Sequence, residues 1–498
     1  MKPFARHALV ILFCSLMAVR AQETNQTRLL PQPSSSPLVT FRILFNTGAA
    51  YDPVGKEGVA SLTAAMLADG GTQKLPYDEI IKRMYPWATS FDWQVDKEMS
   101  VLSGTTHIDN LAKYYGLVRD MILTPGFRDE DFQRLKTDAV NYLKVSLREG
   151  NDEELGKEEL YNLIYKNHPY GHENMGSITA LERITLDDVK EFYRSNYTRA
   201  KLVAGIAGGF SADFPRQIQN DFAVLPTGKK VAEKFDEPEL EPGMRIEIIQ
   251  RDTRSTAASM GFPVDVTRAD KDYAALKLVE SYFGQHRSST SHLYQRLREL
   301  RGLNYGDYAY IEYFPRGMFQ FQPDPNLARQ QEIFQIWIRP VPPEQAVFAF
   351  RAALYEYDKL VSDGLTEESF QSTREFLTKF VDVLVETQSA ALGYALDSRF
   401  YGIPQYAKYL KSELAKLTVE KVNEAIKHHL KSNKMRVVMV TRDPESLKDG
   451  ITNGKPSPIT YNSPKPEAIL AEDKIIEAYS IPTKPEWVSI VPVENVFK

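Results

Sequence analysis

Seven histidines lie beyond the first 21 residues: His107, His168, His172, His286, His292, His428 and His429. Imidazole is a common zinc ligand and a general base near neutral pH, so these are the first places to look for chemistry. Their spacing does not assemble a site. His428 and His429 are adjacent on an expected helix and cannot share a face. His168 and His172 lie in NHPYGHENMG, which reads as a loop, where a four-residue spacing is a weak chelate. The other three are isolated and read as structural.

A second stretch offers donors instead of ligands. Residues 293–314 read LYQRLRELRGLNYGDYAYIEYF. Leu293 to Leu300 is expected as a helix, Gly302 breaks it, and Asn304 to Phe314 is expected as an aromatic strand. Arg298 carries a rigid fork of donors suited to peptide carbonyls. Tyr305, seven residues on, carries a phenol that can donate to a developing oxyanion. Taken alone, the pair reads as an exposed charged helix end followed by a core tyrosine.

The element that would have to hold a catalytic centre is Gly48 to Thr72, GAAYDPVGKEGVASLTAAMLADGGT. Asp52-Pro53, Gly55 and Gly58 form a tight entry. A small-residue helix follows from about Val59 to Ala68, and Gly70-Gly71 cap it. Four alanines within ten residues let other backbone come close.

This stretch resembles the metal-site segment of the pitrilysin/insulinase family of zinc peptidases, the inverzincins. There a D-P-x-G-x-x-G turn leads into a helix bearing H-x-x-E-H that ends near G-T. Asp52, Pro53, Gly55, Gly58, Ala60, Gly71 and Thr72 keep that frame. Ser61 stands in place of the first metal histidine, Ala64 in place of the glutamate base and Ala65 in place of the second histidine. The family's distal glutamate falls in register with Asn141 or Tyr142. Catalytic zinc needs about three protein ligands and an open position for water. None of these five residues offers an imidazole or a carboxylate, so the resemblance implies no metal and no cofactor in this chain. The segment at 293–314 resembles the family's L-R-E-x-x-G-L-x-Y run through Leu297, Arg298, Glu299, Gly302, Leu303 and Tyr305. By that resemblance Arg298 and Tyr305 are substrate-binding residues. The loop before it, Phe283-Gly284-Gln285-His286-Arg287, departs from the glycine-rich pattern of relatives. The H-P-Y-G loop around His168 is also similar to the family's, and there it is not the metal site.

Bulk composition narrows the class. At 498 residues the chain exceeds one ordinary core, and 43% hydrophobic with 26% charged residues is a soluble globular balance. Residues 1–21 read as a bacterial secretory signal, with Lys2 and Arg6 before an apolar run and Val19-Arg20-Ala21 as the cleavage site. The apolar run is short for spanning, and no later run is longer, so no membrane span is expected in the mature chain. The periplasm is the expected destination. Cys14 is the single cysteine and lies inside the signal, so no disulfide is expected. The signal carries three basic residues and no acid, so its removal takes the formal charge from −5 to −8. That balance, with no basic run, argues against nucleic acid.

Along the chain, residues 22–37 read as a flexible leader rich in Pro and Ser. Leu38 to Phe45 is an expected strand, Tyr77 to Met84 a helix, and Trp93 to Gly104 paired strands. Ile108 to Ile122, Asp129 to Leu147, Glu153 to Tyr165 and Leu186 to Tyr193 are expected helices, and Lys201 to Ala207 a buried strand. Residues 225–243 read as an interdomain linker, with Met244 to Ile249 opening the second half as a strand. That half repeats the first. LTPGFRDEDFQRLK at 123–136 matches SDGLTEESFQSTR at 362–374, and TLDDVKEFYRSNYTRAKLVAGIA at 185–207 matches TVEKVNEAIKHHLKSNKMRVVMV at 418–440 at an offset of 233. The expected fold is α+β: two tandem homologous domains, 38–224 and 244–442, each a mixed or antiparallel sheet with helices packed on it. The resemblance implies the same pair, closed as a clamshell. Residues 443–498 read as an extended tail ending in a strand.

In two-chain members of the resembled family, one chain holds the zinc and the other supplies the Arg/Tyr pair. The resemblance therefore implies a non-catalytic companion in a heterodimer with a zinc-bearing homologous subunit, acting on a peptide substrate. A stand-alone peptide-binding or chaperone-like clamp is the alternative, holding extended peptides by edge-strand addition. A peptidase with a relocated metal site is a third.

Overall fold

A computed structural model describes residues 28–229 and 234–498. The expected signal, residues 1–21, lies outside the described residues. The chain divides into two compact units. The first takes residues up to Thr137 and again from Arg183 to Glu233; the second takes Asp138–Glu182 and Lys234–Lys498.

The first unit is built on a five-stranded sheet in the order β1-β5-β2-β4-β3. Its strands are β1 (Arg28–Pro33), β2 (Leu38–Phe45), β3 (Asp92–Val95), β4 (Ser100–His107) and β5 (Leu202–Gly208). β2 and β5 are almost wholly buried, as apolar runs in interior strands should be. β1 pairs in parallel with β5, whereas β2 is antiparallel to both β5 and β4.

The second unit carries a six-stranded sheet in the order β11-β6-β10-β7-β9-β8. These are β6 (Arg245–Gln250), β7 (Thr256–Val264), β8 (Asp307–Tyr310), β9 (Glu332–Val341), β10 (Arg436–Thr441) and β11 (Val488–Pro492). Without β11 the two orders correspond strand for strand. β10 is parallel to β6 and antiparallel to β7, as β5 is to β1 and β2. The helix before each equivalent strand starts at a threonine cap. Thr185 accepts from the Asp188 N–H and Thr418 from the Lys421 N–H. The internal repeat read from sequence is therefore a repeat of topology.

Four expectations need correction. Residues 28–33 of the expected flexible leader form β1. Pro31 and Pro33 are tolerated because β1 is an edge strand, where a missing N–H breaks no ladder. The tail is not simply extended: it contains helices Pro444–Thr452 and Glu467–Glu477 before β11 completes the sheet. The expected helix Asp129–Leu147 is α-helical to Asn141 and continues as a π-helix over Tyr142–Glu149. Residues 138–182, expected in the first domain, group with the second unit, because helix Asp152–Ile164 lies against β7 and β10.

The helix Val59–Asp69 has ten of its eleven residues buried. A helix apolar on every face belongs in a core. Its entry is set by Gly58, which sits at φ 109°, where a side chain would be strained. Asp52 reaches across this turn and accepts from the Gly58 N–H at 2.6 Å and the Ala60 N–H at 2.8 Å. It thereby satisfies donors that the first helical turn leaves open. At the other end Arg128 and Arg134 donate to the carbonyls of Gly70 and Asp69. Replacing Asp52 by Ala is expected to cost about 1–2 kcal/mol of stability. Urea unfolding of the two proteins measures it, and equal midpoints would contradict the capping role.

Candidate functional site

In the first unit, the three positions of the lost metal motif are interior. Ser61, Ala64 and Ala65 are buried on the helix that Asp52 caps. Their side chains supply packing and one hydroxyl. The two distal positions belong to the second unit. Asn141 is exposed at the last turn of its α-helix, and Tyr142 is half-buried at the start of the π-helix. Burial, then the nearby Glu173, Glu158 and Glu154, push the Tyr142 phenol far above its ordinary pKa. Among the described residues no group of three or more His, Cys, Asp or Glu stands together as a metal cage. His292 and His429 instead pair with Glu356 and Asp272, and His107 accepts from the Asp109 N–H at a helix start.

Arg298 and Tyr305 lie in the second unit, at either end of a short turn. Arg298 sits in a π-helical segment, Tyr294–Glu299. Its guanidinium stands 4.6 Å from the centre of the Tyr294 ring and 3.8 Å from the Glu299 carboxylate. Tyr305 is 75% exposed. The residue after it, Gly306, adopts φ 126° and lies against the same Tyr294 ring, so a Cβ there would meet that ring at 2.8 Å. Tyr294 thus stands under the Arg298 guanidinium and against the backbone that follows Tyr305. The expected aromatic strand Asn304–Phe314 is cut to β8, Asp307–Tyr310. Asn304 explains where it starts: it accepts from the Gly306 N–H and donates to the Asp307 carboxylate and the Arg339 carbonyl. Asp307 is buried, and burial pushes its carboxyl up to about 7.

An ionic clamp fixes the segment. Glu356, fully buried, accepts from His292 Nε2 at 2.8 Å and Arg296 Nε at 2.6 Å. Burial alone would raise the Glu356 pKa, but the hydrogen bonds and charges of His292 and Arg296 hold it below the usual value. Arg296 also pairs with Glu472, and Arg301 pairs with Glu472 at 2.7 Å and Asp473 at 2.8 Å. Tyr461 donates to the other Asp473 oxygen. Glu472 and Asp473 lie on the tail helix Glu467–Glu477. Buried charges are tolerated only when paired in this way. Sequence reasoning missed these residues. Arg296 and Arg301 look like any charged helix end, and their acidic partners stand 60 to 176 residues further along the chain.

The first unit presents buried Ser and Ala at these positions, and the second presents an exposed phenol beside a paired ionic cluster. The variant Ser61→His, Ala64→Glu, Ala65→His is expected to show no peptidase activity. Three larger polar side chains would enter closed interior positions, each costing about 1–3 kcal/mol, and no carboxylate stands at Asn141 or Tyr142. Zinc-dependent hydrolysis by the purified triple variant would contradict this.

Known proteins carry the same architecture. The profile described as insulinase (peptidase family M16) matches residues 29–177, and the peptidase M16 inactive domain matches 183–377. A Helicobacter pylori protein named non-peptidase homolog YmxG is 22% identical over 457 residues, covering 89% of this chain and 99% of that protein. An uncharacterized zinc protease of Rickettsia bellii is 24% identical over 284 residues, covering 56% of this chain and 66% of that protein. Among solved structures, a peptidase M16 inactive domain from Pseudomonas fluorescens superposes with TM-score 0.73 at 23% identity, over 84% of this chain and 95% of that one. The periplasmic protease PqqL of Escherichia coli gives 0.67 at 14% identity, over 92% of this chain and half of PqqL. Both structural likenesses are of fold. Two family profiles that together span most of the chain place it: the chain belongs to the insulinase family, peptidase family M16.

Proposed function

We propose that this chain is the non-catalytic companion of a two-chain zinc peptidase in the bacterial periplasm. It supplies Arg298 and Tyr305 to a peptide whose scissile bond sits at the zinc of a homologous partner. The observation that carries this reading is the contrast between the two sites. The metal positions have become buried Ser and Ala, while the Arg298–Tyr305 turn is held by a buried ionic clamp with Tyr305 facing solvent. A clamp of that kind is costly for a fold that needs only to close a helix end, and is reasonable for one that must present donors accurately. The non-peptidase name of the Helicobacter relative supports the absence of catalysis in this chain. The periplasmic description of PqqL supports the compartment. No helix among the described residues is long and apolar enough to cross a membrane.

In this role Arg298 donates to a peptide carbonyl and fixes the register of the substrate. The Tyr305 hydroxyl donates to the peptide oxygen that gains charge in the transition state; the zinc of the partner would supply the Lewis-acid chemistry. Such a donor counts most in the transition state. Tyr305→Phe removes one hydroxyl and little volume. In the reconstituted pair it is expected to lower the partner's kcat by on the order of 10²–10³, with heterodimer assembly intact by size-exclusion chromatography. An unchanged kcat and KM would overturn the proposal. If no zinc-bearing partner co-purifies, and the chain alone retains extended peptides, the stand-alone clamp takes its place.

A further inference from the structure

The two sheets repeat strand for strand, but one connection does not. In the first unit β3 and β4 are joined by four residues, 96–99. In the second unit the equivalent strands β8 and β9 are joined by twenty-one, 311–331, without a helix or strand. The fold itself needs only the short turn. Irregular connections longer than about 12–15 residues are usually functional.

This insertion is tied down along one side. The Glu154 carboxylate accepts from the N–H groups of Arg316 at 3.1 Å and Met318 at 3.2 Å, and is itself paired with the buried Lys157 at 2.8 Å. Met318 Sδ receives Arg339 at 3.3 Å. His286 Nε2 donates to the Gln320 carbonyl at 2.8 Å while its Nδ1 accepts from the Tyr310 hydroxyl. Burial pushes the His286 pKa down to about 4, which keeps the ring in the neutral form that can do both. Arg287 donates to the Met318 carbonyl. With Met318 and Gln320 held inward, the alternating residues Phe319 and Phe321 turn outward, 75% and 72% exposed. Phe321 also forms the lip of a cavity whose other walls include Phe314, Phe380 and Leu384.

Two phenylalanines held in water by a rigid insertion do not serve folding. Exposed Arg287 stands over the Phe321 ring at 4.5 Å, while Arg316 beside Phe319 is paired with Asp324. Aromatic and arginine side chains together are the usual composition of binding hot spots. The patch adjoins the Tyr305 turn, since Arg339, which touches Met318, also receives Asn304 at its carbonyl.

We propose that the 311–331 insertion selects the peptide held by Arg298 and Tyr305. It takes an extended segment with a bulky apolar side chain on Phe319 and Phe321, next to an acidic residue on Arg287. This rests on the companion reading above. A preorganised apolar platform gains affinity because little is ordered on binding.

The test uses the full-length mature chain and three fluorescein-labelled decapeptides of Ala, Ser and Gly, with Phe-Glu, Ala-Glu or Phe-Lys at the centre. Fluorescence anisotropy is expected to show the Phe-Glu peptide bound about tenfold or more tightly than either of the others. The double variant F319S/F321S, changed only at exposed positions, should lose the preference for Phe. An unchanged preference in that variant overturns the inference. So does retention on phosphatidylglycerol vesicles that needs both phenylalanines without any peptide preference, which would make the loop a membrane contact. If Arg298→Ala weakens all three peptides and F319S/F321S changes none, this inference fails and the companion reading stands. A wild-type chain that holds none of the three peptides overturns this inference, while the companion reading is decided by the kcat of the reconstituted pair.

Discussion

The burial of helix Val59–Asp69 along ten of its eleven residues is the constraint on which the rest depends. A helix enclosed on every face can carry only small or apolar side chains, because a buried imidazole or carboxylate without partners costs several kcal/mol. A metal site needs those groups in that place. Here packing prevails: Ser61, Ala64 and Ala65, which by resemblance stand at the family's ligand and base positions, are buried small residues. The turn that feeds the helix is unchanged, because Asp52 and Gly58 serve the backbone and not the metal. Frame and chemistry were separable, and only the frame was kept.

The second unit shows the opposite balance. There, charge is buried freely. Glu356, Arg301 and Asp473 are all removed from water, and each is paired. The tail helix Glu467–Glu477 supplies two of the carboxylates, so the C-terminal segment is part of the support for Arg298 and Tyr305. The 311–331 insertion is secured by the same device, with Glu154 holding backbone N–H groups and Lys157 holding Glu154. Buried ion pairs add little net stability against apolar replacements. Their use here fits a surface whose geometry must be exact.

Much of the fold was legible because helices and strands announce themselves by period. Tyr77–Met84 and Leu38–Phe45 emerge with the expected bounds, and the offset of 233 between the two halves turns out to align equivalent strands. β1 was hidden by its prolines, yet the repeat contained the signal, since β6 precedes β7 as β1 precedes β2. The absence of imidazole and carboxylate at Ser61, Ala64 and Ala65 was legible directly. The support of the turn in the second unit was not. The partners of Arg296 and Arg301 lie far along the chain, and no local pattern marks them. The aromatic run after Tyr305 has strand composition, so periodicity extends it to Phe314. The structure ends it at Tyr310, where the insertion leaves the sheet.

The central claim is that this chain keeps the architecture of a zinc peptidase without the zinc. Metal analysis of the purified mature chain, combined with a peptidase assay with and without chelator, addresses it most directly. The account predicts zinc well below one equivalent and no chelator-sensitive cleavage of an unstructured peptide. One tightly held zinc per chain, with cleavage that a chelator abolishes, would contradict it.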